Sequence, residues 1–220
     1  SEKDDGQYDA VKKGFDMAIG DIMAYLNSDD MYLPNAFSKV CKAFSANSKI
    51  LWLKGLNGFY DTDGTYSSKH INHYSNYILK RGFYNTIDLP GIQQESTFWK
   101  RSLYDAVGGM PRQYRYAGDF ALWMAFAMKA KASLYQPRFH LSGIRIHDGQ
   151  KHISCREDYH KEVTQILNEY GIRRNYFRRI HSKLIHEFFN YELDRLSPGI
   201  LLRGIFLKSL LPTFLKNNNA

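Results

Sequence analysis

Cysteine is nearly missing from this chain of 220 residues: Cys41 and Cys155 are the only two, and they share no CxxC spacing. That excludes a disulfide framework and a thiolate zinc site, and it fits a reducing cytoplasm. Proline is scarce at six, and neither an internal repeat nor a low-complexity linker interrupts the chain. No apolar run reaches the roughly 18 residues that a membrane-spanning helix requires, and no secretory signal opens the sequence. Aromatics, by contrast, are abundant, with 16 Tyr and 14 Phe. Such residues fill cores, and they also line carbohydrate and base-stacking surfaces. Basic residues outnumber acidic ones by 30 to 22, a net charge of +8. That favours polyanionic partners: nucleic acid, nucleotide diphosphates or an anionic membrane surface. The segment Gly171 to Lys183 holds four Arg, one Lys and no acid, a pattern shared by ordinary solvated helix faces.

Apolar spacing predicts a helix over 8–19, stopped by Gly20, followed by a short buried strand over 21–26. A second helix opens near Pro34 and runs to about Phe44. Residues 50–54 read as another buried strand, and 57–66 as a hairpin turning at Asp63-Gly64. The Tyr- and Asn-rich stretch 70–85 reads as a helix plus loop. A strand over 93–99 then leads into a helix over 101–107 closed by Gly108-Gly109. Residues 119–132 form a strongly apolar helix with Asp119 in its first turn, and 133–146 supply one or two strands. From Arg156 onward the pattern is helical, over 157–170 and 174–195, with a last apolar segment over 200–211. Strands and helices alternating to about residue 155, then helices alone, predict an α/β domain over 1–155 and a helical extension over 156–220.

The first constellation with chemistry is Asn27-Ser28-Asp29-Asp30 at the end of the first strand. In open α/β sheets, ligands bind just beyond the carboxyl ends of strands. An acidic pair there can hold Mg²⁺ or Mn²⁺, hard cations that prefer oxygen. An Asx-type turn capping the next helix explains the same residues.

Ser1 to Ala10 (SEKDDGQYDA), with Gly14, Ala18 and Gly20 ahead of the buried strand and Leu26-Asn27-Ser28-Asp29-Asp30, resembles the family 2 glycosyltransferases of GT-A fold. Three further segments resemble that family in its own order. They are Gln93 to Tyr104 with Val107-Gly108-Gly109, then Tyr116 to Trp123, then His147-Asp148-Gly149-Gln150 with Ser154. The resemblance covers residues 1 to about 155. It implies a GT-A-like (Rossmann-like) mixed sheet flanked by helices, and a fragment lacking the N-terminal nucleotide-binding strands.

By resemblance, Asp29 is a metal ligand and Asn27 stands where the family's first aspartate usually sits, contacting donor without bringing charge. Asp30 supports the turn or binds metal through water. Asp119 matches the catalytic base, and the dipole of the helix it begins favours its ionised form; a plain helix N-cap is the alternative. Gly118 replaces an acid frequent in relatives. Gln94 and Glu95 fall at the acceptor subsite. Trp99 and Trp123 offer a stacking face, or belong to the core. His147 is a further metal ligand or a structural histidine, and Arg145 and Lys151 are expected to neutralise diphosphate.

The expected activity is transfer of a sugar from a nucleotide-sugar donor to a hydroxyl acceptor, with inversion and with Mn²⁺ or Mg²⁺ as cofactor. The acceptor is expected to be a sugar or lipid-linked sugar in cell-surface polysaccharide or glycolipid synthesis. Residues 200–211 are too short to span a bilayer; with the Arg-rich 173–183 segment they suit peripheral membrane contact, or they form a helix docked against the sheet domain or a partner subunit. The inner face of the plasma membrane is the expected place for such contact. The competing reading is a non-catalytic carbohydrate- or nucleic-acid-binding module. No nucleic-acid motif supports a nucleic-acid partner.

Overall fold

The computed structural model describes residues 3–61, 63–70, 72–146, 155–173 and 175–195. Helix α1 (Gln7–Met17) buries Tyr8 and Phe15 on one face. The expected six-residue strand shrinks to β1 (Ile22–Met23), because the ladder to β6 (Thr97–Lys100) holds only Ile22 against Lys100 and Met23 against Trp99. Beyond Met23 the chain runs off the sheet, carrying residues 24–30 toward the site. A turn closed by Asp30 N–H on Asn27 C=O at 3.2 Å leads into β2 (Met31–Tyr32), a strand the sequence pattern did not announce.

Helix α2 (Ala36–Ala46) and β3 (Trp52–Lys54) follow as expected. The hairpin comprises β4 (Leu56–Tyr60) and β5 (Tyr66–His70). A short helix α3 (Asn76–Leu79) and a 3-10 turn (Gln94–Ser96) precede β6. Helix α4 (Arg101–Ala106) ends at Gly108 and Gly109, whose φ angles of 87° and 78° suit glycine alone. The remaining elements are α5 (Gly118–Met128), β7 (Leu134–Tyr135), β8 (His140–Arg145), α6 (Arg156–Glu169) and α7 (Tyr176–Arg195).

Two four-stranded mixed sheets result, ordered β1-β6-β3-β7 and β2-β8-β4-β5. Each combines antiparallel neighbours with one parallel pair, β3 with β7 and β4 with β8. Helices flank them, so the chain is a mixed α/β structure. The principal core stacks Trp52 on Trp123 at 5.6 Å between ring centroids and sets Trp99 edge-on to Trp123 at 5.4 Å. Helix α5 is buried nearly all round, as its uniform apolarity demands. Its outer face meets Val163, Ile166 and Leu167 of α6 in a second core cluster, so the helices after residue 155 share a core with the sheet domain.

Candidate active site

Three carboxyl groups from three separate sequence segments converge. Asp30 comes from the turn after β1, Glu95 from the 3-10 turn, and Asp119 from the first turn of α5. They meet at Glu95: the charges of Asp30 and Asp119 both oppose its ionisation.

Glu95 is the most perturbed of the three. Its side chain is 6% exposed, and burial, then the charge of Asp30, push its carboxyl up to about 8. Oε1 accepts from Gln94 Nε2 at 2.9 Å, while buried Oε2 has no donor. A proton on Glu95 resolves that deficit, since the acid form donates toward Asp30. Burial also raises Asp30, as does the nearby charge of Asp29, against the backbone N–H of Arg145. Asp30 Oδ1 accepts that N–H at 3.1 Å, and Oδ2 accepts from Asn27 Nδ2 at 3.3 Å. Asn27 Oδ1 in turn accepts from Gln7 Nε2 of α1 at 2.9 Å. Arg145 Nε donates to the main-chain oxygen of Asp29 at 3.2 Å, tying β8 to the acidic turn.

Lys54, at the end of β3, is a member of the site that sequence reasoning did not single out. It is 2% exposed, and burial lowers its ammonium to about 7, while the charge of Glu95 works the other way. Nζ donates to Gly55 C=O at 2.8 Å and Asn57 Oδ1 at 3.1 Å, and it lies 5.4 Å from the centre of the Tyr74 ring. A lysine closing the otherwise apolar run Ile50 to Leu53 was the available signal.

Asp119 is clamped from two sides. Oδ1 accepts from the Phe120 N–H at 2.7 Å and from Tyr8 Oη at 3.2 Å. Burial raises its carboxyl against the lowering effect of these two bonds. The helix dipole is expected to favour its ionised form; burial, the largest influence on it, works against that form. The group keeps an opening onto a cavity of about 50 Å³, lined also by Thr86, Gln93, Phe120, Trp123 and Tyr159. That volume suits ordered water.

Gly118 has a steric reason. A Cβ there would lie 2.6 Å from two atoms of the Tyr8 ring, so the ring that holds Asp119 occupies the space where a side chain would stand. The turn before α5 is fixed by Glu162 of α6, whose carboxylate accepts the N–H groups of Arg115, Tyr116 and Ala117 at 2.8 Å each. A carboxylate at these unpaired helix-start donors satisfies both hydrogen bonding and dipole. Glu162 escaped sequence reasoning because it lies 43 residues beyond Asp119, in the helical extension.

The other expected residues divide. Asn27, Asp29, Gln94 and Glu95 lie around this cluster. Trp99 does not: it is 0% exposed in the principal core, and a stacking platform needs an open ring face, so its assignment to substrate is corrected. Trp123, 1% exposed, is likewise core, though it borders the cavity. His147, with Asp148 to Ser154, lies outside the described residues, as do residues 200–211. Among the described residues no group of three or more His, Cys, Asp or Glu stands ready to hold a metal. Asp29 and Asp30 nevertheless offer the hard oxygens that Mg²⁺ or Mn²⁺ takes when substrate phosphates complete its shell.

No curated protein matches the chain in sequence. Among solved structures it is similar to mannosyl-3-phosphoglycerate synthase from Rubrobacter xylanophilus, at 13% identity and a TM-score of 0.49. That alignment covers 79% of this chain and 54% of the other, so the chain spans about half the length of that neighbour. Residues 1–108, which include Tyr8, Asp29, Asp30 and Glu95, match the family model "Glycosyl transferase family 2", so over that segment the chain is similar to the family 2 glycosyltransferases.

Proposed function

We propose that this chain transfers a sugar from a nucleotide-diphosphate sugar to a hydroxyl acceptor with inversion, using Asp119 as the base. The observation that carries the reading is the convergence of Asp30, Glu95 and Asp119. One family-matched segment supplies the first two, and the carboxylate at the start of α5 completes the set.

Asp119 takes the proton of the acceptor hydroxyl as its oxygen bonds to the anomeric carbon, and the bond to the nucleoside diphosphate breaks with its electrons leaving on phosphate oxygen. A single displacement of this kind inverts the anomeric centre. Tyr8 and the Phe120 N–H orient the base, while burial lifts its carboxyl toward a more basic value. Gln94 and Glu95 present hydrogen-bonding groups to the acceptor. Asp29, with Asp30 and His147, would hold a divalent cation, which would supply charge stabilisation to the departing diphosphate. Arg145 adds positive charge at the same turn. The acceptor class we assign is a growing cell-surface polysaccharide or glycolipid.

A screen of UDP-, GDP- and dTDP-sugars for thermal stabilisation and nucleoside diphosphate release, with Mn²⁺ or Mg²⁺, tests this reading. Stabilisation by one donor that needs the metal and disappears in Asp29→Ala is expected. Metal-dependent stabilisation that survives Asp29→Ala refutes the metal assignment, and indifference to every donor refutes the activity.

A further inference from the structure

Helix α7 is apolar on two opposite faces, and one of them packs on the protein. Ser182 is fully buried and His186 is 4% exposed, with His186 Nδ1 3.4 Å from Tyr84 Oη. Ile185 packs on the principal core. Arg179 Nε reaches Asp88 Oδ1 at 3.1 Å, and Asn190 Oδ1 accepts the N–H of His73 at 2.9 Å. These contacts fix which way the helix faces.

Pointing the other way are Tyr176, Phe177, Ile180, Leu184 and Phe188, exposed by 73, 78, 40, 64 and 44%. Positions 176, 180, 184 and 188 recur every four residues, and Phe177 broadens the stripe, so the five form one continuous strip. Other exposed large apolar residues, such as Ile19, Phe37 and Tyr135, are scattered singly over other elements, as on most protein surfaces. A strip of this length is not.

The charge around the strip identifies what covers it. Arg173, Arg178 and Lys183 are exposed in the stretch that carries the strip, against the single acid Glu187, on a chain of net charge +8. A second copy of the chain would bring the same cations against themselves. A surface that is apolar beneath and anionic above matches both features: aromatic and aliphatic side chains enter the acyl boundary while Arg and Lys meet headgroup phosphates. Among the described residues no helix is long and apolar enough to cross a membrane, so the helix lies along the surface.

We propose that the outward face of α7 docks this protein on an anionic lipid bilayer, with Phe177 and Leu184 as its central apolar anchors. The proposal is independent of sugar transfer, and its test reads no activity. Flotation of the full chain with phosphatidylcholine vesicles, with and without phosphatidylglycerol, measures partition directly. Binding is expected only to the phosphatidylglycerol vesicles, weakening as salt rises. The double substitution Phe177→Ser with Leu184→Ser is expected to lower partition at least about tenfold, since two buried apolar side chains are lost. Both side chains are exposed, so the thermal midpoint of the variant should match the parent and certify its fold. Absence of binding to anionic vesicles overturns the proposal, as does partition unchanged by the double substitution. A concentration-dependent dimer that the same substitution dissolves also overturns it, since the strip then belongs to a second copy.

Discussion

Replacing Glu95 by Gln should make the protein more stable at neutral pH while impairing any function its carboxyl serves. The side chain is 6% exposed, and its carboxyl is pushed up from 4.5 to about 8. Between those values the folded state holds a proton that the unfolded chain releases, so stability falls as pH rises through the window from 4.5 to about 8. Integrating that linkage to pH 7 gives a loss of about 3 kcal/mol relative to acid conditions, an upper limit because Asp30 and Lys54 respond when Glu95 ionises. Glutamine keeps the shape of the protonated acid and cannot ionise, so Glu95→Gln should recover about 1–3 kcal/mol at pH 7–8 and nothing near pH 4. Urea denaturation of both proteins across pH 4 to 8 provides the assay, and the two stability curves should meet at acid pH and diverge above it. Lys54 works in the opposite sense: its ammonium is lowered to about 7, so its contribution to stability recovers as pH rises above about 7. A Gln variant that is less stable at pH 8, or whose pH slope equals the parent's, would falsify the buried-acid assignment.

Further outcomes follow from the clamps on Asp119. Tyr8→Phe removes the 3.2 Å hydrogen bond to Oδ1, which lowers the Asp119 carboxyl; its loss should move the acid limb of the pH–rate profile to higher pH, at a stability cost of about 1–2 kcal/mol. An unmoved limb would show that Tyr8 does not tune the base. Gly118→Ala drives a Cβ into the Tyr8 ring and should destabilise by about 1–3 kcal/mol in thermal or urea unfolding. Combined with Tyr8→Ala, which vacates the space, that penalty should largely vanish, and a fully additive double mutant would contradict the steric account. Glu162→Ala leaves three N–H groups of the α5 approach without their acceptor. Hydrogen exchange at residues 115–117 should accelerate strongly, and unchanged protection there would show that other partners hold the turn.

Much of the fold was legible because local patterns and tertiary demands agree. The 3.6-residue period of α1, the all-round apolarity of α5 and the Gly108-Gly109 stop each have one structural solution. The two-residue strand β2 was not legible and β1 was read too long, since their pairing depends on β8 and β6, far away in sequence. Asp29, Asp30, Glu95 and Asp119 could be named from their segments, but not the fact that Asp30 and Glu95 share one buried environment. Lys54, Tyr8 and Glu162 were hidden for the same reason: each looks ordinary in its own element and acquires its role from a partner at least 41 positions distant, as with Lys54 and Glu95. Trp99 shows the converse, because aromatic identity alone does not distinguish a sugar platform from a core residue.

The central claim is that Asp119 removes the acceptor proton during a single displacement on a nucleotide sugar. The measurement that tests it most directly is transfer by the full chain and by Asp119→Asn, followed by NMR of the anomeric proton in donor and product. Inverted product from the parent is predicted, with the rate in Asp119→Asn falling by about 10²–10⁴ while donor-induced thermal stabilisation persists. Retained configuration, or parent-like transfer by Asp119→Asn, would contradict it.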